Sequence, residues 1–319
     1  MNLDIENLVQ TLDKSESKSE RLKSLLALVS AYTTENYVEG WEMADEAMLL
    51  AMDLKDNQAL AKSHEGKALC AWKLAEYTLG LEHFADALRI YKELDNKHGM
   101  ARCYCGMGIV CGCMDEYQTA LEYFEEGLKN SKADNHLQLI ATLTGNIGHV
   151  YFNFGQYHKA MDYFQEALEY NKKLNFDKGA ANMYAGIAGV HVYLGEYQRG
   201  LDMVCKAYEL HKKANHDDGT ATCLMNLGIT QHKMGRLEEA ETSLHKALDL
   251  CRLVNLRNIE QQLIENLIAL YQDLKNESQI QVYKDLYSEG MREEKKQSLI
   301  RKNDYLRQRM ELQAVKSRR

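Results

Sequence analysis

Proline is absent from all 319 residues, and tryptophan occurs only twice. Because proline normally occupies loops, strand edges and turns, its absence predicts long helices joined by very short turns. No stretch approaches the ~18 consecutive apolar residues that a membrane span needs. The first twenty residues lack the basic start and apolar core of a secretory signal. We therefore expect a cytoplasmic protein without a membrane span.

Cysteine is also scarce, with eight residues, which is too few for a disulfide scaffold and agrees with reduced thiols in a cytosolic protein. Hydrophobic residues make up 45% of the chain, which excludes a disordered protein. The net charge is −8, but residues 291–319 carry +6 and the other 290 residues carry −14. A domain with that net negative charge repels phosphate, so we do not expect nucleic acid as a partner of the main domain.

What the sequence does contain is a register that recurs every 40 residues. Tyrosine occupies it five times and leucine once: Tyr37, Tyr77, Tyr117, Tyr157, Tyr197 and Leu237. Small residues follow three positions later: Gly40, Gly80, Ala120, Ala160, Gly200 and Ala240. Small residues at fixed positions allow two helices to approach closely, and tyrosine fills the space beside the turn between them. Gly155, Gly195 and Gly235 lie two residues before the register, where a tight turn needs a positive φ.

Each repeat is predicted to be a helix, a short turn, a longer helix and a second short turn. The apolar positions follow a spacing of three and four, and no alternation of period two predicts a strand. The turns between repeats are rich in side chains that cap helices, and we expect these to accept the first free N–H groups of the next helix: Asp56, Asp95, Asn135, Asp177 and Asp217.

Residues 141–170 carry the clearest copy of the repeat, and this segment resembles the tetratricopeptide repeat. Seven of its residues match the signature of that family: Gly148, Tyr151, Gly155, Tyr157, Ala160, Phe164 and Ala167. The repeat departs from the family in its period, which is 40 rather than about 34 residues, and in lacking the terminal proline. The resemblance implies an all-α fold, a right-handed α-solenoid of about seven helix-turn-helix repeats with a concave groove and a C-terminal extended helix.

The domain organisation follows from the extent of the repeat. Residues 1–20 are expected to form an N-terminal cap or a frayed helix, residues 21–290 the solenoid, and residues 291–319 a basic helix or connector. The repeats are placed near 21–60, 61–100, 101–140, 141–180, 181–220, 221–260 and 261–290. The basic segment also carries a faint heptad that allows self-association through a coiled coil: Leu299, Asn303, Leu306, Met310 and Gln313.

Two motifs superficially suggest chemistry. The glycines from Gly106 to Gly112 resemble a phosphate-binding loop, but Gly108 is a small packing position inside a predicted helix, and such a loop needs a strand before it. Four cysteines fall within eleven residues: Cys103, Cys105, Cys111 and Cys113. On one helix, residues two apart point about 200° apart, so neighbouring pairs cannot share one metal. With no helical His pair at i, i+4 spacing, we expect no enzyme activity, metal or cofactor.

The groove of the solenoid is the expected working surface. The resemblance implies that the first helix of each repeat lines it, which selects eleven candidate partner-binding residues: Trp72, Lys73, Asn146, His149, Phe152, Asn153, Tyr193, Asn226, His232, Lys233 and Asn266. Asn146, Asn226 and Asn266 share one register, and a carboxamide both donates to and accepts from a peptide backbone. Trp72, Phe152 and Tyr193 are expected to hold apolar side chains. The Lys and Asn positions with which related repeats grip chaperone C-termini are replaced here, so that kind of docking is not expected.

We therefore expect a non-catalytic protein–protein interaction module that binds a peptide segment or a partner protein in its groove. An alternative is the sensory or regulatory input domain of a bacterial signalling protein whose cyclase, kinase or transcription output domain is absent from this chain. In that case residues 291–319 would be the connector. A weaker alternative is an enzyme that uses the cysteine-rich helix.

Overall fold

The computed structural model describes residues 3–316, with side chains given for most of residues 5–300. The described residues form fifteen helices and no strand, which confirms the all-α prediction. The helices in chain order are α1 (Leu3–Asp13), α2 (Lys18–Glu35), α3 (Tyr37–Leu54), α4 (Asn57–Lys73), α5 (Tyr77–Glu93), α6 (Lys97–Cys113), α7 (Tyr117–Ala133), α8 (Leu137–Asn153), α9 (Tyr157–Lys173), α10 (Asp177–Tyr193), α11 (Tyr197–Lys213), α12 (Asp217–Lys233), α13 (Leu237–Val254), α14 (Arg257–Asp273) and α15 (Glu277–Lys316).

The helices form hairpins that follow the 40-residue register. The second helix of a hairpin begins at the register residue in all six cases, for example at Tyr77 in α5 and Tyr157 in α9. Consecutive helices pack against each other within two compact units, Met1–Leu139 with Ile300–Arg319, and Ile140–Leu299. The fold is therefore an α-solenoid of helical hairpins. One expectation was wrong: in the central repeats both helices have 17 residues, so the second is not longer.

The short turns explain why the chain does without proline. Between α4 and α5 only three residues lie outside a helix, and all three donate backbone hydrogen bonds: Leu74 to Cys70, Ala75 to Trp72 and Glu76 to Ala71. Proline lacks the N–H that each of these bonds needs. The middle residue of such a turn also has a positive φ, as at Gly155 with 70°. Proline cannot adopt that conformation, since its ring fixes φ near −65°.

The turns between repeats use polar residues differently from the prediction. Asp56 caps α4 as expected and accepts a hydrogen bond from the N–H of Ala59. Asp95 and Asn135 instead adopt positive φ values of 48° and 51° and end the preceding helix. Asp177 and Asp217 are already the first helical residues. The capping prediction was therefore wrong at four of its five positions. Each of these turns places the left-handed residue, the cap and the first helical residue at three consecutive positions, and only Asp56 falls on the cap.

Small residues bring the two helices of a hairpin together as predicted. At Gly80, an added Cβ would lie 3.3 Å from the carbonyl oxygen of Ala68 on the facing helix. The same separation, 3.3 Å, applies at Gly200 opposite Ala188. The aromatic residues of the second helices are buried in this contact, with Phe84 1% and Phe164 0% exposed.

The two ends of the chain extend the helical pattern. α1 buries Ile5 and Leu12 in the core cluster of the first hairpin. α15 runs for 40 residues and passes without interruption through position 290, where the sequence suggested a boundary. The side chains of the faint heptad lie outside the described ones, so self-association stays a prediction. Within the described part of the chain, no helix combines the length and apolarity of a membrane span.

Candidate functional site

The second unit contains a cavity of about 540 Å³ that is formed by three consecutive repeats. Its wall comes mainly from the first helices of the hairpins, α8, α10 and α12. The second helices contribute Phe164 from the middle of α9, and Asn171 and His211 from near the C-terminal ends of α9 and α11. That volume lies within the range of roughly 300–1,000 Å³ that is usual for ligand sites. The 40-residue repeat produces the cavity directly, because equivalent positions of three hairpins face the same space.

Two rows of repeat-equivalent positions cross the cavity wall, one helical turn apart. The first row consists of Thr142, Asn182 and Thr222, and the second of Asn146, Gly186 and Asn226. Residues four apart on a helix lie on one face, so each helix presents one member of each row. The rows therefore offer hydroxyl and carboxamide groups at regular intervals, and the carboxamide of Asn226 makes no hydrogen bond to any described side chain.

Phe164 forms the apolar floor between these rows. Its ring is fully buried and lies edge-on to His149, with 4.8 Å between the ring centroids. Gly186 packs directly on this ring, because a Cβ at that position would lie 2.9 Å from the ring carbons of Phe164. The small residue in the middle of the second row is thus required by close packing against the floor.

Three histidines line the cavity, and the pKa of each is lowered. His211 is buried and His216 is half-buried, whereas His149 is exposed. Surrounding protein lowers the pKa of His149 to about 4, although its ring still meets the groove. Burial, with a smaller contribution from His216, lowers the pKa of His211 to about 4. The pKa of His216 is also lowered by burial, and its Nδ1 accepts a hydrogen bond from the N–H of Gly219. Among the described lining residues only Asp218 carries a formal charge.

An aromatic group adjoins the cavity at the C-terminal ends of α8 and α10. Phe152, which lines the cavity, contacts Tyr157 and Tyr193 edge-on with centroid separations of 5.5 Å and 5.1 Å. Tyr157 and Tyr193 stack on each other at 5.4 Å. Tyr193 remains 64% exposed, so this group presents a large apolar and hydrogen-bonding surface to solvent.

The structure brings together four of the eleven residues that the sequence selected. Asn146, His149, Phe152 and Asn226 line the cavity, and Tyr193 contacts Phe152 beside it. Asn153 turns back to donate to the carbonyl oxygen of His149 on its own helix.

The remaining candidates lie elsewhere. Asn266 donates to the carbonyl oxygen of Gln262 on its own helix, and His232 pairs with Asp273 at 2.7 Å. Lys233 is exposed outside the cavity lining. In the first unit, Trp72 donates to the Sγ of Cys113, and the ammonium group of Lys73 lies 4.5 Å from the centroid of the Trp72 ring.

Sequence reasoning missed the contribution of the second helices. Asn171 and His211 line the cavity from the ends of α9 and α11 and are 4% and 2% exposed. A signal for them exists in the repeat itself, since one position on the second helices alternates among residue types: Tyr91, Ser131, Asn171, His211 and Cys251. All five of these residues are buried, and a carboxamide or an imidazole at such a position needs a polar partner that Tyr91 or Cys251 needs less. Asn171 and His211 therefore mark a local departure from plain core packing.

Most residues of the two motifs that suggested a catalytic or metal site are buried packing residues of α6, with Gly112 and Cys113 as the exceptions. The glycines from Gly106 to Gly112 lie inside α6, as the repeat register predicted. Cys103 and Cys223 share a register, and both are at most 1% exposed. Burial raises the pKa of the Cys103 thiol and raises that of Cys223 to about 12. These thiols stay protonated at physiological pH, which makes them poor nucleophiles.

The hairpin fold and the groove define an α-helical repeat protein of the solenoid class. The family model of the tetratricopeptide repeat matches residues 58–133, 138–213 and 179–252, which together span more than half of the chain. This chain belongs to the tetratricopeptide repeat family. No curated protein matches it in sequence.

Solved structures share the fold at low sequence identity. The apo form of RapI is 17% identical with a TM-score of 0.70, covering 86% of this chain and 99% of RapI. The Rap conjugation gene regulator of plasmid pLS20, in complex with the Phr* peptide, is 15% identical with a TM-score of 0.70, covering 94% and 87% of the two chains. Aspartyl phosphate phosphatase F from Bacillus subtilis is 15% identical with a TM-score of 0.69, covering 91% and 77%.

The buried histidine of α11 predicts a pH-dependent stability. Because the pKa of His211 is lower in the folded chain than its ordinary value of 6.5, the unfolded chain binds the proton more readily. The contribution of His211 to the free energy of unfolding is therefore fully present above pH 6.5. It is lost as the pH falls towards about 4, by up to about 1.4 kcal/mol per pH unit.

His211→Asn is expected to flatten that slope, since asparagine does not titrate and already occupies the equivalent position as Asn171. Urea unfolding across this pH range measures it. The matched control is His232→Asn, which removes a histidine that is paired with Asp273 near the surface. An unchanged slope in His211→Asn would contradict the prediction.

Proposed function

We propose that this chain is a non-catalytic interaction module that binds an extended peptide segment in the groove of its second unit. The observation that carries the proposal is the pair of rows on α8, α10 and α12. A peptide in an extended conformation presents N–H and C=O groups at regular intervals and alternates its side chains between two faces. Thr142, Asn182, Asn146 and Asn226 supply matching donors and acceptors, while Phe164 offers an apolar floor.

The charge of the groove selects among ligands. The described lining includes no Lys or Arg, one acidic residue, Asp218, and histidines that are neutral at physiological pH. Such a wall gives phosphate no counter-charge, so we expect a peptide that is neutral or weakly basic rather than a phosphorylated or strongly acidic one. The same reasoning opposes nucleic acid as a ligand of this groove.

The comparisons support a peptide or protein ligand, since the Rap regulator of plasmid pLS20 was solved with the Phr* peptide. They do not favour the alternative of an input domain whose output domain is absent. We propose further that the chain itself catalyses no reaction and acts in the cytoplasm. The described cavity wall offers one thiol, Cys223, whose pKa of about 12 makes it unreactive. The phosphatase named among the neighbours shares the fold at 15% identity.

Loss of the asparagine pair is expected to weaken binding by roughly 5- to 150-fold. This assumes about 0.5–1.5 kcal/mol for each hydrogen bond that Asn146→Ala and Asn226→Ala remove. The probe is a linear peptide selected from a displayed random library against the wild-type chain, labelled for fluorescence anisotropy. Circular dichroism confirms that the double variant keeps its helices.

Asn266→Ala is the matched control, because that residue shares the register but lies outside the cavity lining. It is expected to leave the affinity within about twofold. If the double variant binds every selected peptide as tightly as the wild type, or if Asn266→Ala weakens binding equally, the groove assignment fails.

A further inference from the structure

A cluster of metal-ligating side chains lies in the first unit and shares no residue with the cavity lining of the second. His64 on α4 faces His83 and Asp86 on α5, and one ligand atom from each lies within 4.8 Å of the other two. Within the described residues this is the single group of three such side chains that meets this distance. We propose that His64, His83 and Asp86 form a binding site for a divalent transition-metal ion of the zinc class.

The geometry of the two imidazoles suits a tetrahedral ion. Their Nδ1 atoms lie 3.2 Å apart. Two zinc–nitrogen bonds of about 2.0–2.1 Å at the tetrahedral angle place the nitrogens about 3.3 Å apart. The Nδ1 of His64 lies 3.8 Å from the Oδ2 of Asp86, and the three ligand atoms lie within 4.8 Å of one another, so the carboxylate moves inward to complete three ligands. Water fills the fourth position.

The ligand set also matches the chemistry of the ion. Imidazole nitrogen and carboxylate oxygen are common zinc ligands, and two histidines with one carboxylate leave a coordination position open. His64 and Asp86 are partly covered, with side-chain exposures of 13% and 47%, so an ion can enter from solvent on the Asp86 side. His83 and Asp86 are three residues apart on α5 and therefore share a face of that helix.

The charges around the cluster permit a cation. Lys67, the nearest buried cation in sequence to His64, pairs with Asp45 at 2.6 Å, so its charge is compensated. The other oxygen of Asp45, Oδ2, is buried and accepts no hydrogen bond within the described structure. Arg89 lies 3.7 Å from the second oxygen of Asp86 and is 65% exposed, which leaves it free to swing into solvent. Trp41 contacts His83 edge-on at 5.4 Å and limits the rotation of its ring.

A second histidine pair shows why the carboxylate matters. His211 and His216 also place their Nδ1 atoms 3.2 Å apart. There the Nδ1 of His216 already accepts the N–H of Gly219, and no carboxylate completes a group of three in that part of the described chain. His211 and His216 therefore serve as a control pair, because their nitrogen atoms have the same separation but no carboxylate provides a third ligand.

The test is a metal titration of the full chain after removal of bound metal with a chelator. Calorimetry with Zn²⁺ is expected to show one strong site, and Co²⁺ is expected to give the visible spectrum of a nitrogen and oxygen site without a thiolate charge-transfer band. His83→Met and Asp86→Asn are each expected to weaken Zn²⁺ binding by at least roughly 10- to 100-fold. That is the cost of losing a residue that only supports a metal ligand, and these variants remove a ligand itself. Methionine occupies the position of His83 in other repeats, as Met43 and Met203.

His216→Asn is the matched control and is expected to leave Zn²⁺ affinity unchanged. Asparagine preserves the cap, since Asn96 caps α6 from the equivalent position. Circular dichroism verifies that each variant is folded, and Asp86→Asn changes an isosteric, half-exposed side chain. Absence of a Zn²⁺ site in the wild type overturns the proposal, and so does full affinity in both His83→Met and Asp86→Asn. Because these residues lie outside the groove, peptide binding is a separate measurement.

Discussion

Replacing Phe164 with alanine is expected to lower the free energy of unfolding by about 3–5 kcal/mol, the cost of a large-to-small change at a fully buried aromatic residue. The ring of Phe164 is 0% exposed and packs beneath two glycines, Gly148 and Gly186. Glycines have no side chain with which to refill the space, so the neighbours collapse poorly and the residual cavity stays large.

The measurement is urea unfolding combined with hydrogen exchange. Repeats interact mainly with their nearest neighbours, so the damage is expected to concentrate in α8–α10 and to be smallest in α14 of the same unit. Phe154→Ala is the control, because Phe154 is 37% exposed, and we expect it to cost about 1 kcal/mol. Equal losses for the two variants, or uniform loss of protection across the unit, would contradict a role for Phe164 as the packed floor.

Arg102→Met is expected to cost about 3 kcal/mol at neutral pH. Glu65 is 4% exposed, and its carboxylate accepts hydrogen bonds from the Nε of Arg102 at 2.7 Å and the hydroxyl of Tyr91 at 3.2 Å. Removing one partner of a buried pair costs about 3–5 kcal/mol. The lower end applies because Arg102 is itself 43% exposed.

The effect of this substitution depends on pH. Burial already raises the pKa of Glu65, against the opposing charge of Arg102, and removal of the arginine raises that pKa further. A carboxyl group with a raised folded pKa destabilises the folded chain fully above that pKa, and this penalty fades as the pH falls from the folded pKa to the lower unfolded pKa. The deficit of Arg102→Met relative to wild type is therefore expected to shrink as the pH falls towards the ordinary pKa of a glutamate. Denaturant unfolding at neutral and acidic pH measures it.

A second variant separates the charge from the packing. Other repeats hold Cys105, Ala185 or Met225 at the position of Glu65. The double variant Glu65→Met with Arg102→Met is expected to regain most of the lost stability, since a buried ion pair replaced by apolar residues is often neutral or stabilising. If the double variant is as unstable as Arg102→Met, the loss comes from packing rather than from an unpaired carboxylate.

The 40-residue register predicted the helices with little error, and the reason is local. The turn that precedes each of α5, α7, α9 and α11 has three residues, and its middle residue is left-handed, so the next helix begins at a fixed distance from the end of the previous one. The tyrosine register therefore marks the first residue of each of these four helices. The capping prediction failed for a related reason. Aspartate and asparagine favour both helix caps and left-handed turns, and composition alone does not distinguish Asp56 from Asp95.

The site was predicted only in part, because spacing defines a helix face but not what packs over it. Asn226 and Asn266 share a register, yet one lines a cavity and the other bonds to its own helix. Trp72 was expected to be an open aromatic anchor, and Lys73 covers its ring. Asn171 and His211 were missed because they belong to second helices, whose ends reach the cavity only after the hairpins stack.

The sequence by itself determined the repeat, the all-α fold, the short turns without proline, and the packing role of Gly108 and Cys103. Each follows from residues close in the chain, where backbone geometry and helical periodicity act directly. Tertiary structure decided which polar groups share a space. It brought Asn171 to the cavity wall, buried His211, and brought His64 to His83. These are contacts between helices, and their partners are chosen by packing rather than by spacing along the chain.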